Sequence, residues 1–136
     1  MSELIKLNLT ETLAQLGKEL LNPSEELLHL IQQERQFNAW FTPENVLQAV
    51  QAIGKMLNRA DLKKWLPEDA ATVFTGKKVG LVLAGNIPVV GFHDVLCTLA
   101  SGHFAMIKAS ANDARLISYI LKRLVVLEPE FTKLAV

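Results

Sequence analysis

The chain has 136 residues, half of them apolar, which suffices for one small domain with a real core and excludes a disordered tail. Fourteen basic and fourteen acidic side chains cancel, and no run of one sign is long enough for a nucleic-acid tract or a membrane-surface patch, so no nucleic-acid partner is expected. A single cysteine, Cys97, excludes an internal disulfide, and no Cys/His spacing fits zinc, so no metal is expected. The apolar stretches fall far short of the roughly 20 residues that cross a bilayer, and MSELIKLNLTETL lacks a signal-peptide layout, which reads as a cytoplasmic chain with no membrane span.

In chain order, Leu9, Leu13, Leu16 and Leu20 recur at helical spacing and predict an amphipathic helix over Glu3 to Leu21, with Lys18 and Glu19 outside. Asn22, Pro23 and Glu25 follow as a start signal, Asn22 capping and Glu25 bonding back, for a second helix to about Gln36. Thr42, Pro43 and Glu44 repeat that grammar, and Val46, Leu47, Val50, Ile53 and Leu57 line one face of a third helix. A short fourth helical piece is expected over Asp61 to Leu66.

The character changes after Gly76. Lys78 to Ala84 is almost uniformly apolar, as a parallel strand covered on both faces would be. Pro88 to Ser101 reads as a helix opened by proline and closed by Gly102, and Phe104 to Lys108 as a second strand. A 14-residue helix rises about 21 Å and a six-residue strand spans about 20 Å, so the helix can return the chain for parallel pairing. Ser110 and Asp113 then predict a capping box for a last helix that buries Leu116, Ile117, Ile120, Leu121 and Leu124. The fold class is α/β, with a helical lead-in over 1–75 and a first βαβα unit over 76–136. Two parallel strands leave two open edges, so the sheet looks incomplete and calls for more chain or a second copy.

Ligands of such units bind beyond the carboxyl ends of the strands. Two loops lie there, Ala84-Gly85-Asn86-Ile87-Pro88 and Lys108-Ala109-Ser110-Ala111-Asn112, and neighbouring parallel strands would bring them to one cleft. Asn86 can donate to a developing oxyanion, or can be a helix cap or turn residue. Lys108 can bond ribose hydroxyls or a phosphate, or simply end a strand in solvent; Ser110 can cap. Neither GxGxxG nor GxxxxGK[ST] occurs, which argues against a standard Rossmann dehydrogenase or a P-loop enzyme. His93 and Asp94 are adjacent on one helix and point apart, a structural pattern. Cys97, among Val95, Leu96 and Leu99, reads as a small core residue with no clearly activating histidine. Trp40, Phe41 and Trp65 read as packing anchors.

The stretch AGNIPVVGFHDVLCTLASGHFAMIKASANDARL, Ala84 to Leu116, resembles the aldehyde dehydrogenase superfamily segment in which an Asn-bearing turn leads through a helix to a strand ending in a Lys-Pro-Ser-Glu-type motif. GNIPVVGFHD, SGH, IKAS and FNAWFTPENV, Phe37 to Val46, are more closely similar to the acyl-CoA reductase branch, which includes the fatty acid reductase component of bacterial luminescence systems. The resemblance covers about Phe37 to the C-terminus. It implies an incomplete parallel, Rossmann-type cofactor-binding domain and a reductase that forms an acyl-cysteine from an acyl-CoA or other acyl thioester. Hydride from NADPH or NADH then releases an aldehyde.

By that comparison Asn86 is the oxyanion donor, and Val82, Ala84, Gly85, Lys108 and Ser110 contact the cofactor, Lys108 through the adenosine ribose. The nucleophilic cysteine of such enzymes lies beyond the matched region, so the resemblance implies one half of a site, inactive by itself. Ala109 and Ala111 stand where many superfamily members have Pro and Glu; without that acid near a 2′-phosphate, NADPH is slightly favoured. The alternative readings are a catalytically silent module that homodimerises to complete its sheet, and a nucleotide-binding regulator using the same loops.

Overall fold

The computed structural model describes residues 5–66, 72–74, 77–111 and 113–133. A short strand β1 (Ile5–Leu7) precedes helices α1 (Leu9–Leu21), α2 (Glu25–Gln33), α3 (Pro43–Met56) and α4 (Arg59–Trp65), with a 3-10 turn at 34–36 extending α2. Then come β2 (Thr72–Phe74), β3 (Lys78–Val82), α5 (Phe92–Ala100), β4 (Phe104–Lys108), α6 (Ala114–Leu127) and a closing 3-10 turn. The boundary expected at Gly76 lies outside the described residues.

Helix α1 is the hub of the helical part. Leu9, Leu13, Leu16 and Leu20 are fully buried where α1 packs against α3, α4 and α6. Its start is later than the leucine periodicity suggested, because Oδ1 of Asn8 accepts from the Glu11 amide at 2.9 Å and fixes the first turn there. Residues 5–7 pair antiparallel with 72–74 instead. Glycine sets how closely α1 and α3 cross. A Cβ on Gly17 would stand 2.9 Å from the Leu57 backbone oxygen, and one on Gly54 2.9 Å from the Gly17 oxygen. Polar clamps close the surface of this bundle: Arg123 forks onto Glu19 (2.6 and 3.1 Å), and Nη2 of Arg59 donates to both Glu11 oxygens (2.8 Å to each).

Asn22 does not start α2. It ends α1, its amide bonding to the Lys18 carbonyl at 3.2 Å, and Ser24 caps α2 by accepting from Leu27 at 3.2 Å. With the cap at Ser24 the third helical position is Leu27, so no reciprocal bond from Glu25 forms. The third helix is as expected, with Thr42 capping and Pro43 in the first turn. The fourth begins earlier, on the Asn58 cap.

β3 and β4 pair in parallel, with Lys78 opposite Phe104 and Val82 opposite Lys108, as the strand–helix–strand reading required. Gly102, in the left-handed region (φ 80°), ends α5 and lets the chain turn into β4. Among the described residues the sheet is covered on one face only. Helix α5 packs on β3 and β4 while α6 packs mainly on α1 and α2, leaving Lys78, Gly80, Val82, Met106 and Lys108 exposed on the other side. The expectation of a strand covered on both faces therefore fails among the described residues. An apolar run records what the strand side chains are, and not whether a second layer has been laid over them.

Candidate functional site

The site begins at the carboxyl ends of the two parallel strands. Beyond the Val82–Lys108 pair, the Leu83 amide donates to the Lys108 carbonyl at 3.0 Å, so the ladder runs one step past β3 and sets both exits side by side. Val82 is 87% exposed on the open face; Ala84 is exposed, Gly85 buried, Asn86 and Lys108 exposed and Ser110 half-buried. The two loops singled out in the sequence thus leave the same end of one sheet. Asn112, of the second loop, lies outside the described residues.

The first loop is built differently from the expected proline-started helix. Pro88 opens a turn, with Val90 bonding back to Ile87 at 3.3 Å and Phe92 to Val89 at 3.1 Å. Helix α5 starts only at Phe92, with Gly91 as its cap. The break has a definite cause in Val89, which sits in the left-handed region (φ 55°) with its side chain buried, a conformation that no helix interior contains. Gly91 closes the turn against β3, where a Cβ would lie 2.7 Å from the Leu83 Cβ. Asn86 is accordingly not the cap of α5. It lines, with Ile87 and Pro88, a shallow groove of about 400 Å³ against Trp40, Phe41, Asn45 and Gln48. Lys108 and Ser110 stand outside that groove's lining.

Asp113 also departs from its expected role. It precedes α6 but makes no side-chain cap bond; its Oδ2 instead accepts from the Val89 amide at 2.8 Å. The carboxyl is 1% exposed, and Oδ1 has no partner among the described residues. Burial away from water pushes the group up from 3.8 to about 7; the Val89 amide opposes this, Glu34 adds to it and Arg115 opposes it. The Asp113 amide meanwhile donates to the Ser110 carbonyl at 3.0 Å. One residue therefore ties the second loop to the first. The sequence carried no signal for this, since the Ser110–Asp113 spacing reads as a capping box wherever the Asp113 side chain goes, whereas α6 starts only at Ala114.

Two further expectations are corrected. Four residues along α5, one helical turn, bring His93 Nε2 to 3.6 Å from Cys97 Sγ, so the cysteine does have a histidine beside it. Trp40 is 85% exposed, whereas its neighbour Phe41 is buried; the packing anchor is Phe41, and Trp40 forms one wall of the Asn86 groove. Among the described residues no group of three or more His, Cys, Asp or Glu side chains could hold a metal, and no helix is long and apolar enough to cross a membrane.

The sequence pattern of the acyl-CoA reductase (LuxC) family fits residues 8–136. No curated protein and no solved structure matches the chain.

Proposed function

This chain belongs to the acyl-CoA reductase (LuxC) family, and on that premise we propose that its two strand-end loops form the nucleotide and oxyanion portion of an NAD(P)H-dependent acyl-thioester reductase. The observation that carries the reading is the Val82–Lys108 pairing and its continuation through Leu83. That pairing puts the Asn86 loop and Lys108 at the end of the sheet where parallel α/β units take their ligands.

The residues suit the roles assigned to them. Asn86 is exposed on a turn held by its neighbours and caps no helix, so its amide is available to donate to the oxygen of a thioester carbonyl as negative charge develops there. Lys108 is exposed and in no ion pair among the described residues, free to take ribose hydroxyls or a phosphate. Val82 and Ala84 offer exposed apolar surface beside it, and the open face over Gly80 has nothing within 4 Å of where a Cβ would stand. A bound nicotinamide cofactor would supply hydride, and a cysteine thiolate would displace the thiol and carry the acyl group. The residues of this chain orient the carbonyl and stabilise its oxyanion. The chain's strand–helix–strand part is the parallel, Rossmann-type unit of the aldehyde dehydrogenase superfamily. Ala109 and Ala111 put no acid where many superfamily members carry one near a 2′-phosphate, so NADPH is slightly favoured over NADH.

The test is reduction of a long-chain acyl-CoA to aldehyde by the natural protein, followed as thioester-dependent NADPH oxidation. Asn86→Ala lowers kcat by about 10²-fold or more, the usual loss of one oxyanion donor. An unchanged kcat rejects the assignment, and a strong preference for NADH in a binding titration rejects the cofactor choice. A second reading, a homodimerising module without catalysis, rests on the open sheet face, where Val82 is 87% and Met106 50% exposed. A monomer in sedimentation removes it.

A further inference from the structure

We propose that Asp113 is a positioning residue for the Asn86 turn: by accepting the Val89 amide, its buried carboxyl holds a left-handed turn that fixes where Asn86 points. The catalytic arm of this proposal rests on the oxyanion reading of Asn86 given above; the structural arm does not.

Three observations converge on it. A β-branched residue with φ near 55° is strained and survives only where its surroundings over-determine it. At Val89 those surroundings are the Asp113 bond at 2.8 Å, burial of the valine side chain, and Gly91 pressed against Leu83. Second, Asp113 is spent on this contact in place of its local opportunity. It stands at the start of α6 yet bonds no α6 amide with its side chain, reaching across to a residue 24 positions earlier. Such a buried, half-satisfied carboxyl is expensive for stability alone. Third, the lever to Asn86 is short and stiff. Only Ile87 and Pro88 intervene, and Pro88 has its φ fixed by its ring. Because the Asp113 amide also bonds the Ser110 carbonyl, the contact holds the two loops in one register.

The experiment is a double-mutant cycle in the natural protein between Asp113→Ser and Asn86→Ala, with Asp113→Asn as rescue. Serine can still cap α6 but is too short to reach Val89, whereas asparagine keeps an oxygen acceptor at the same reach. Asp113→Ser is expected to lower kcat by about 10²-fold, with little change in KM. Asn86→Ala then adds little to that loss, and Asp113→Asn restores most of it. Losses that multiply, or an asparagine variant as impaired as the serine one, overturn the proposal.

Hydrogen exchange of the Val89 amide separates the two readings. Slow exchange in the wild type and Asp113→Asn, with fast exchange in Asp113→Ser, supports the positioning contact even if Asn86→Ala proves silent and the oxyanion reading falls. Equal protection in all three overturns it. If Asp113→Ser fails to fold, Asp113→Thr, also too short to reach Val89, takes its place in both measurements.

Discussion

Arg115 forks onto the fully buried carboxylate of Glu34, Nε to Oε1 at 3.0 Å and Nη2 to Oε2 at 3.2 Å, with its guanidinium 3.7 Å above the Phe37 ring. The pair joins the 3-10 turn after α2 to the first turn of α6, two positions from Asp113. Removing the arginine leaves Glu34 as an uncompensated buried charge. Arg115→Met is therefore expected to cost about 3–5 kcal/mol, read as a lowered denaturant midpoint at pH 7. A loss below about 1 kcal/mol, the size of a surface pair, would show that water reaches Glu34.

Asp113 gives stability a pH dependence whose sign follows from its shift. The folded group has its pKa raised from 3.8 to about 7, so its contribution is complete below 3.8 and is lost as pH rises through about 7. The uncharged Asp113→Asn removes that dependence. The variant should match the wild type near pH 4 and exceed it above pH 7, by less than the roughly 4 kcal/mol that the full shift carries at 1.36 kcal/mol per unit, because solvent screening discounts it. Urea melts at a series of pH values decide the matter; parallel curves for the two proteins would mean that Asp113 stays ionised.

The α1–α3 crossing offers a steric prediction. Gly17→Ala gains about 1 kcal/mol of helix propensity. Its Cβ, however, must stand 2.9 Å from both the Leu57 oxygen and the Leu57 Cβ, and overpacking of this kind costs about 1–3 kcal/mol. Backbone cannot yield as a side-chain tip can, so net destabilisation is expected. Gly80→Ala, where nothing lies within 4 Å, is the control and should be neutral or slightly stabilising. Thermal melts of both variants test the contrast.

Asn86→Ala and Lys108→Ala should separate function from folding. Both side chains are exposed, so each melting temperature should stay close to wild type, within the roughly 0.5 kcal/mol of ordinary surface changes. Asn86→Ala should lower kcat, and Lys108→Ala should weaken NADPH binding. A large drop in melting temperature for either would show a structural role instead.

What the sequence determined by itself was whatever depends on local chemistry. The four leucines of α1, the Thr42–Pro43 start of α3, the α5-linked pair of strands with Gly102 between them, and the two loops at their ends were legible as spacing and turn chemistry, and the motifs around Asn86 and Lys108 carried the family. Tertiary structure decided what local chemistry leaves open. Asn22 and Ser24 are both competent caps, and in the folded chain Asn22 ends α1 while Ser24 starts α2. An aspartate before a helix can bond its own amides or a distant one, and only the fold, which brings the Val89 amide to 2.8 Å from Asp113, made the distant bond available. A tryptophan next to a phenylalanine does not announce which of the two is buried, because that depends on which face α3 turns to the core. The apolar strand β3 could not reveal that the described residues leave one of its faces open, since covering it depends on where α6 goes, and α6 goes to the helical bundle.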